Sequence, residues 1–128
     1  MKKIIRTDNA PAAIGPYSQG VIANGFIFLS GQIPIDHESG EVFKGTIAEQ
    51  TRLVLRNIEA ILNAGNSSLG DVVKTTVYIT DINRFSEMNS VYGEFFKEPY
   101  PARATIEVSK LPKGVDVEID VIAVNSEQ

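Results

Sequence analysis

The chain has 128 residues, a formal net charge of −4 and 43% apolar residues. That supports one hydrophobic core, and the acidic balance supplies no field that would gather nucleic acid or an anionic membrane surface. Cysteine is absent, which excludes disulfides, thiolate nucleophiles and cysteine metal sites, and the lone histidine, His37, cannot assemble a zinc set. The expectation is a single domain over residues 1–128, cytoplasmic, with no metal, no secretory signal and no membrane span.

In chain order, basic residues crowd Met1 to Arg6, and Gly15-Pro16-Tyr17-Ser18-Gln19 reads as a loop. Asn24-Gly25 is a strong hairpin signal, flanked by strand-like runs over Gly20 to Ala23 and Phe26 to Ile33. Ser30-Gly31-Gln32 ends the second run, and His37 falls in the turn-like Asp36-His37-Glu38-Ser39-Gly40. Thr46-Ile47-Ala48-Glu49 is a capping box. The apolar spacing of Ile47, Val54, Leu55, Ile58, Ile61 and Leu62 then predicts a helix that stops at Gly65. Val72 to Ile79 reads as a strand. A second helix is expected from about Arg84 to Phe96, with Asn83 as N-cap and Phe85, Met88, Tyr92, Phe95 and Phe96 on one side; Pro99 and Pro101 forbid its continuation. Strands over Ala102 to Val108 and Val117 to Val124 flank the turn Lys110 to Gly114.

This order of two or three strands, helix, strand, helix and two strands predicts an α+β sheet with crossover helices, both on the same face. Along the last strand Val117, Ile119, Val121 and Ala123 form one side. The other carries Asp116, Glu118, Asp120, Ile122 and Val124, half polar and half apolar. Such a surface suits a subunit interface holding a wet site, so a homo-oligomer is expected.

The sequence holds no Walker A loop, dinucleotide fingerprint, Gly-x-Ser-x-Gly elbow or Ser-His-Asp triad. What remains are polar residues set in apolar strands. Arg103 offers a bidentate partner for a carboxylate, although taken alone it reads more readily as a surface arginine or an ion pair with Glu107 or Glu118. Glu118 can position or deprotonate water, or simply occupy the polar side of an amphipathic strand. Gly31 permits close approach of a ligand to the backbone or marks a bulge. Tyr17 walls a pocket or covers core, and Asn89 stands beside Met88 on the second helix. The residues alone thus give a domain whose arginine and glutamate are candidates to share a pocket, and no reaction.

Taken together, several motifs resemble the Rid (YjgF) family in order and spacing: Ala13-Ile14-Gly15-Pro16-Tyr17-Ser18-Gln19, Ser30-Gly31-Gln32-Ile33-Pro34, Gly40-Glu41-Val42, Pro101-Ala102-Arg103, Leu111-Pro112 and Val117-Glu118-Ile119. The similarity runs from about residue 5 to residue 124. It implies a six-stranded mixed sheet with two helices on one face, like that of Bacillus-type chorismate mutase, assembled as a homotrimer with clefts between subunits. It implies a deaminase, without cofactor, that hydrolyses the enamine/imine products of pyridoxal-phosphate-dependent dehydratases, 2-iminobutanoate and 2-iminopropanoate, to 2-keto acids and ammonia. By the same resemblance Arg103 holds the substrate carboxylate and Glu118 orients the attacking water. Tyr17, Ser30, Gly31 and Asn89 line the pocket, and backbone groups at Gly31 and Thr105 contact the ligand. Many members carry cysteine where this chain has Thr105, which removes thiol chemistry there. Two competing functions stay open for the chain: non-catalytic sensing of 2-keto acids or other small carboxylates, and the endoribonuclease or translation-inhibitor activity described for some family members, which the acidic charge opposes.

Overall fold

The computed structural model describes residues 1–125; the last three residues of the expected domain lie outside that range. Strands β1 (Lys3–Ile5), β2 (Gly20–Ala23) and β3 (Phe26–Leu29) come first, followed by helix α1 (Ile47–Ala64) and strand β4 (Val72–Ile79). Helix α2 (Phe85–Phe95), β5 (Ala102–Glu107) and β6 (Val117–Val124) complete the set. They form one six-stranded sheet in the order β1-β2-β3-β6-β4-β5. Only β4 and β5 pair in parallel, so the sheet is mixed.

Local sequence explains most boundaries. Asn24 and Gly25 both adopt positive φ (52° and 79°), the mirror-image turn that matches strand twist in a two-residue hairpin. Thr46 caps α1 by accepting from the Glu49 amide at 3.1 Å, while Glu49 accepts from the Thr46 amide at 2.9 Å. One correction falls at α2. Asn83 is not its cap: Asp81 accepts from the Asn83 amide and opens a short 3-10 turn, Ile82–Arg84, that leads into the helix. A second falls at β3, which stops at Leu29; beyond it only Gln32 bridges to Ile119. The third is β1, which three residues alone, Lys3 to Ile5, did not signal and which pairs with β2.

Both helices cover the same face of the sheet. Val54, Leu55, Ile58, Ile61 and Leu62 of α1 are fully buried against Val117, Ile119, Val121 and Ala123 of β6 and Ile27 of β3. From α2, Met88 and Tyr92 join this core, and the Tyr92 hydroxyl meets Thr75 of β4 at 2.8 Å. Asp116, which strict alternation assigns to the open face, instead turns towards α1, where the Gln50 amide donates to its carboxylate at 2.8 Å.

Among the described residues the opposite face has no covering layer. It presents Phe26 and Phe28 (43% and 44% exposed) beside Ile122 in register, Ile4 on β1 and Ile106 (44%) on β5. Lys74, Tyr78, Glu118 and Asp120 stand among them. An apolar strip this wide, interrupted by half-buried charges, is the composition of an interface rather than of a free surface. Among the described residues no helix is long and apolar enough to cross a membrane.

Candidate functional site

Glu118 is placed by two neighbours. Across the sheet it stands opposite Tyr78 of β4, and beside it runs Ser30-Gly31-Gln32, tied to β6 by the Gln32 amide donating to the Ile119 carbonyl at 2.9 Å and the Ile119 amide donating back at 3.1 Å. This double bond holds Gly31 so close that a Cβ added there would lie 2.0 Å from Glu118 Oε2. Gly31 is therefore required for space, not for backbone freedom. Ser30 Oγ donates to the Ser18 carbonyl, and Gln19, buried, donates to the Pro11 carbonyl at 2.8 Å while accepting from the Thr7 amide at 2.8 Å. These bonds fold the 7–19 loop over the end of β3.

The result is a cavity of about 550 Å³ whose walls include Tyr17, Ser30, Gly31, Glu118, Ile14 and Ile33. Burial raises the proton affinity of the Glu118 carboxyl, and the charge of Asp120 raises it further. A carboxyl so placed in a partly apolar hollow is suited to both taking and returning a proton.

Arg103 lies elsewhere. It pairs in register with Thr75 of β4, three residues from Tyr78, so it projects on the helix-covered side of the sheet while Glu118 projects on the open side. Its guanidinium donates to Asn89 Oδ1 at 2.6 Å and rests over two α2 rings, 4.6 Å from the centroid of Tyr92 and 5.3 Å from that of Phe85. The ion pairs among the described residues are Arg52–Glu94 and Arg84–Glu87. Neither Glu107 nor Glu118 pairs with Arg103; Glu107 accepts instead from the Ile82 amide at 2.8 Å. Arg103 is thus a braced, exposed cation on the edge strand, and Thr105 follows it on the same side.

Two half-sites result. Tyr17, Ser30, Gly31 and Glu118 gather around the cavity, whereas Asn89, Arg103 and Thr105 gather at the β5 edge against α2. Within one chain the arginine and the glutamate lie on opposite faces of the sheet. Sequence reasoning also missed Tyr92, which it assigned to the core. Its ring is buried as expected yet also forms the platform for Arg103. Ring spacing along α2 places the tyrosine, but nothing in the spacing says that a cation lies over it.

The space at Gly31 yields a direct test. Gly31→Ala is expected to fold, because the atom it displaces is the end of a flexible side chain, and to push the Glu118 carboxylate out of its place in the cavity. A thermal melt and a crystal structure of the variant check this; a carboxylate left where it is would show that Gly31 is not required for space.

The chain is thus a six-stranded mixed sheet with two helices on one face, a cavity at Glu118 on the other and a braced arginine on the helix-covered side. A family profile described as endoribonuclease L-PSP matches residues 7–125. The 2-iminobutanoate/2-iminopropanoate deaminase of Escherichia coli K12 is 49% identical, the match covering 97% of this chain and 98% of that protein. Among solved structures, the Rid-family protein YyfA of Yersinia pestis superposes with a TM-score of 0.95 at 50% identity, covering 97% of this chain and 99% of that one. TdcF of E. coli, solved with bound serine, superposes with a TM-score of 0.91 at 48% identity, covering 97% and 99%. The chain belongs to the Rid (YjgF) family.

Proposed function

We propose that this protein is a 2-imino acid deaminase, hydrolysing 2-iminobutanoate and 2-iminopropanoate to the 2-keto acids and ammonia, and that it works as a homotrimer in the cytoplasm. The observation that carries the reading is the split of the two half-sites between opposite faces of one sheet. A cation ready for a carboxylate and a carboxyl ready for water become one site only if a second copy brings its cavity to the first copy's β5 edge. A head-to-tail contact of this kind closes into a ring when the rotation between copies brings the third back to the first, and three copies then have three identical clefts. The bare apolar strip around Phe26 and Phe28 supplies surface for that contact. The deaminase relative at 49% identity supports the chemistry.

In such a cleft Arg103 holds the substrate carboxylate, with Asn89 and the Tyr92 ring fixing the angle of its fork. Glu118 of the neighbouring copy orients a water against C2 of the imine. As the C–O bond forms on the N-protonated imine, the proton leaving the water passes to Glu118 and the C=N π pair moves onto nitrogen, giving a neutral carbinolamine. Glu118 returns the proton to nitrogen, the C–N bond breaks, and the remaining hydroxyl gives up its proton as the carbonyl forms. Ammonia and a 2-keto acid are the products. An imine hydrolyses unaided in water, so positioning and local electrostatics suffice as catalysis. Gly31 and Thr105 offer backbone groups to the ligand, and Tyr17 and Ser30 close the cavity wall.

The test generates the imine in place, from threonine and a threonine dehydratase, and traps it with semicarbazide. Added protein is expected to cut the trapped fraction. An unchanged imine lifetime would overturn the assignment in favour of a binding-only role, a reading that the serine-bound TdcF structure keeps in view. The profile's endoribonuclease description motivates a third assay, on RNA at physiological salt. The net charge of −4 and the solitary, exposed His37 predict neither retention nor cleavage.

A further inference from the structure

The open sheet face carries ionisable groups that the proposed reaction leaves unused. Thr76 of β4 stands opposite Asp120, and Tyr78 opposite Glu118, so Tyr78, Glu118 and Asp120 share one face within two rungs of the ladder. Burial raises the proton affinity of the Asp120 carboxyl, and the Tyr78 hydroxyl and Lys74, on the same face opposite Ile122, offset part of that rise. Among the described residues Tyr17 and Lys113 also face Glu118 across its cavity, and in the proposed cleft the neighbouring copy's Arg103 does so too.

We propose that Asp120 is a positioning residue for the deamination, a fixed negative charge two residues along β6 that acts through Glu118 and readies it to hand its proton back to nitrogen. The proposal rests on the assignment of Glu118 as the water-orienting group. A carboxylate of ordinary acidity accepts a proton from attacking water poorly and holds it too weakly to deliver it in a separate step; a neighbouring negative charge in a half-buried setting corrects both. Repulsion from Asp120 is one of the two influences on the Glu118 carboxyl, after burial. Tyr78 keeps the Asp120 charge in place without neutralising it.

Asp120→Asn preserves shape and still accepts the Tyr78 hydrogen bond. In this variant the acidic limb of the kcat/KM profile is expected to move to lower pH. The Glu118 carboxyl, assigned by its loss from the carboxyl-region NMR spectrum of Glu118→Gln, is expected to titrate lower in step. Asp120→Glu, which keeps the charge, should retain the unmodified profile. If Asn disturbs assembly, Asp120→Ser is measured instead, with the same expectations. An unchanged Glu118 titration in a folded, charge-removed variant would overturn the proposal. The two failures separate cleanly: a fully active Glu118→Gln sinks the underlying role of Glu118, whereas an inactive Glu118→Gln beside an unmoved Asp120→Asn titration sinks only the part given to Asp120.

Discussion

Arg103→Ala is expected to lower kcat/KM on the order of 10²-fold while leaving the fold unchanged, as removal of a charged partner from a desolvated carboxylate costs about 2–4 kcal/mol. The fold survives because Arg103 is exposed and belongs to neither ion pair. Its stacking on Tyr92 and Phe85 is worth roughly 0.5–1 kcal/mol at such a site, small beside the catalytic loss. Arg103→Lys should recover only part of the rate. A lysine keeps the charge but loses the planar fork that Asn89 orients at 2.6 Å. The trapping assay run over a range of threonine turnover gives kcat/KM for each variant, and a near-normal value for Arg103→Ala would end the anchoring role.

Glu118→Gln should fail in the complementary way. Loss of a positioned general base costs roughly 10²- to 10⁴-fold, and here the loss falls on kcat, since the carboxylate anchor is elsewhere. Binding of 2-oxobutanoate, followed by titration, is expected to persist. Weakened binding with turnover retained would reverse the assignment of the two residues. Stability offers an independent sign. The folded protein raises the proton affinity of Glu118 above that of the unfolded chain. Between the two pKa values the unfolded state binds fewer protons, so this group's contribution to stability falls as pH rises through that window. Glu118→Gln removes the penalty, and the variant should melt no lower than the parent above the folded pKa.

Much of the architecture was legible because local and global signals agree. The capping box at Thr46 and the apolar stripe from Ile47 to Leu62 mark α1 without tertiary information, and the structure runs it from Ile47 to Ala64. Richness in β-branched residues and tyrosine did the same for β4, and period-two alternation for β6. The misses have local causes. Lys3–Ile5 is too short to show a period, and its strand exists because β2 offers an edge. Asn83 resembles a cap, but Asp81 two residues earlier captures its amide first. At the site, residue types were readable and their grouping was not. Whether Arg103 and Glu118 face each other depends on the β4 register, Thr75 with one and Tyr78 with the other, and no motif encodes a register across strands far apart in sequence.

That register leads to the most direct measurement. Chains carrying Arg103→Ala and chains carrying Glu118→Gln, each inactive alone, are mixed in equal amounts under conditions that allow subunit exchange. If every cleft joins the arginine of one copy to the glutamate of the next, each mixed ring regains one intact cleft, and random exchange restores about one quarter of the parental activity. A mixture that demonstrably exchanges subunits and stays as inactive as its parents would contradict a cleft shared between copies.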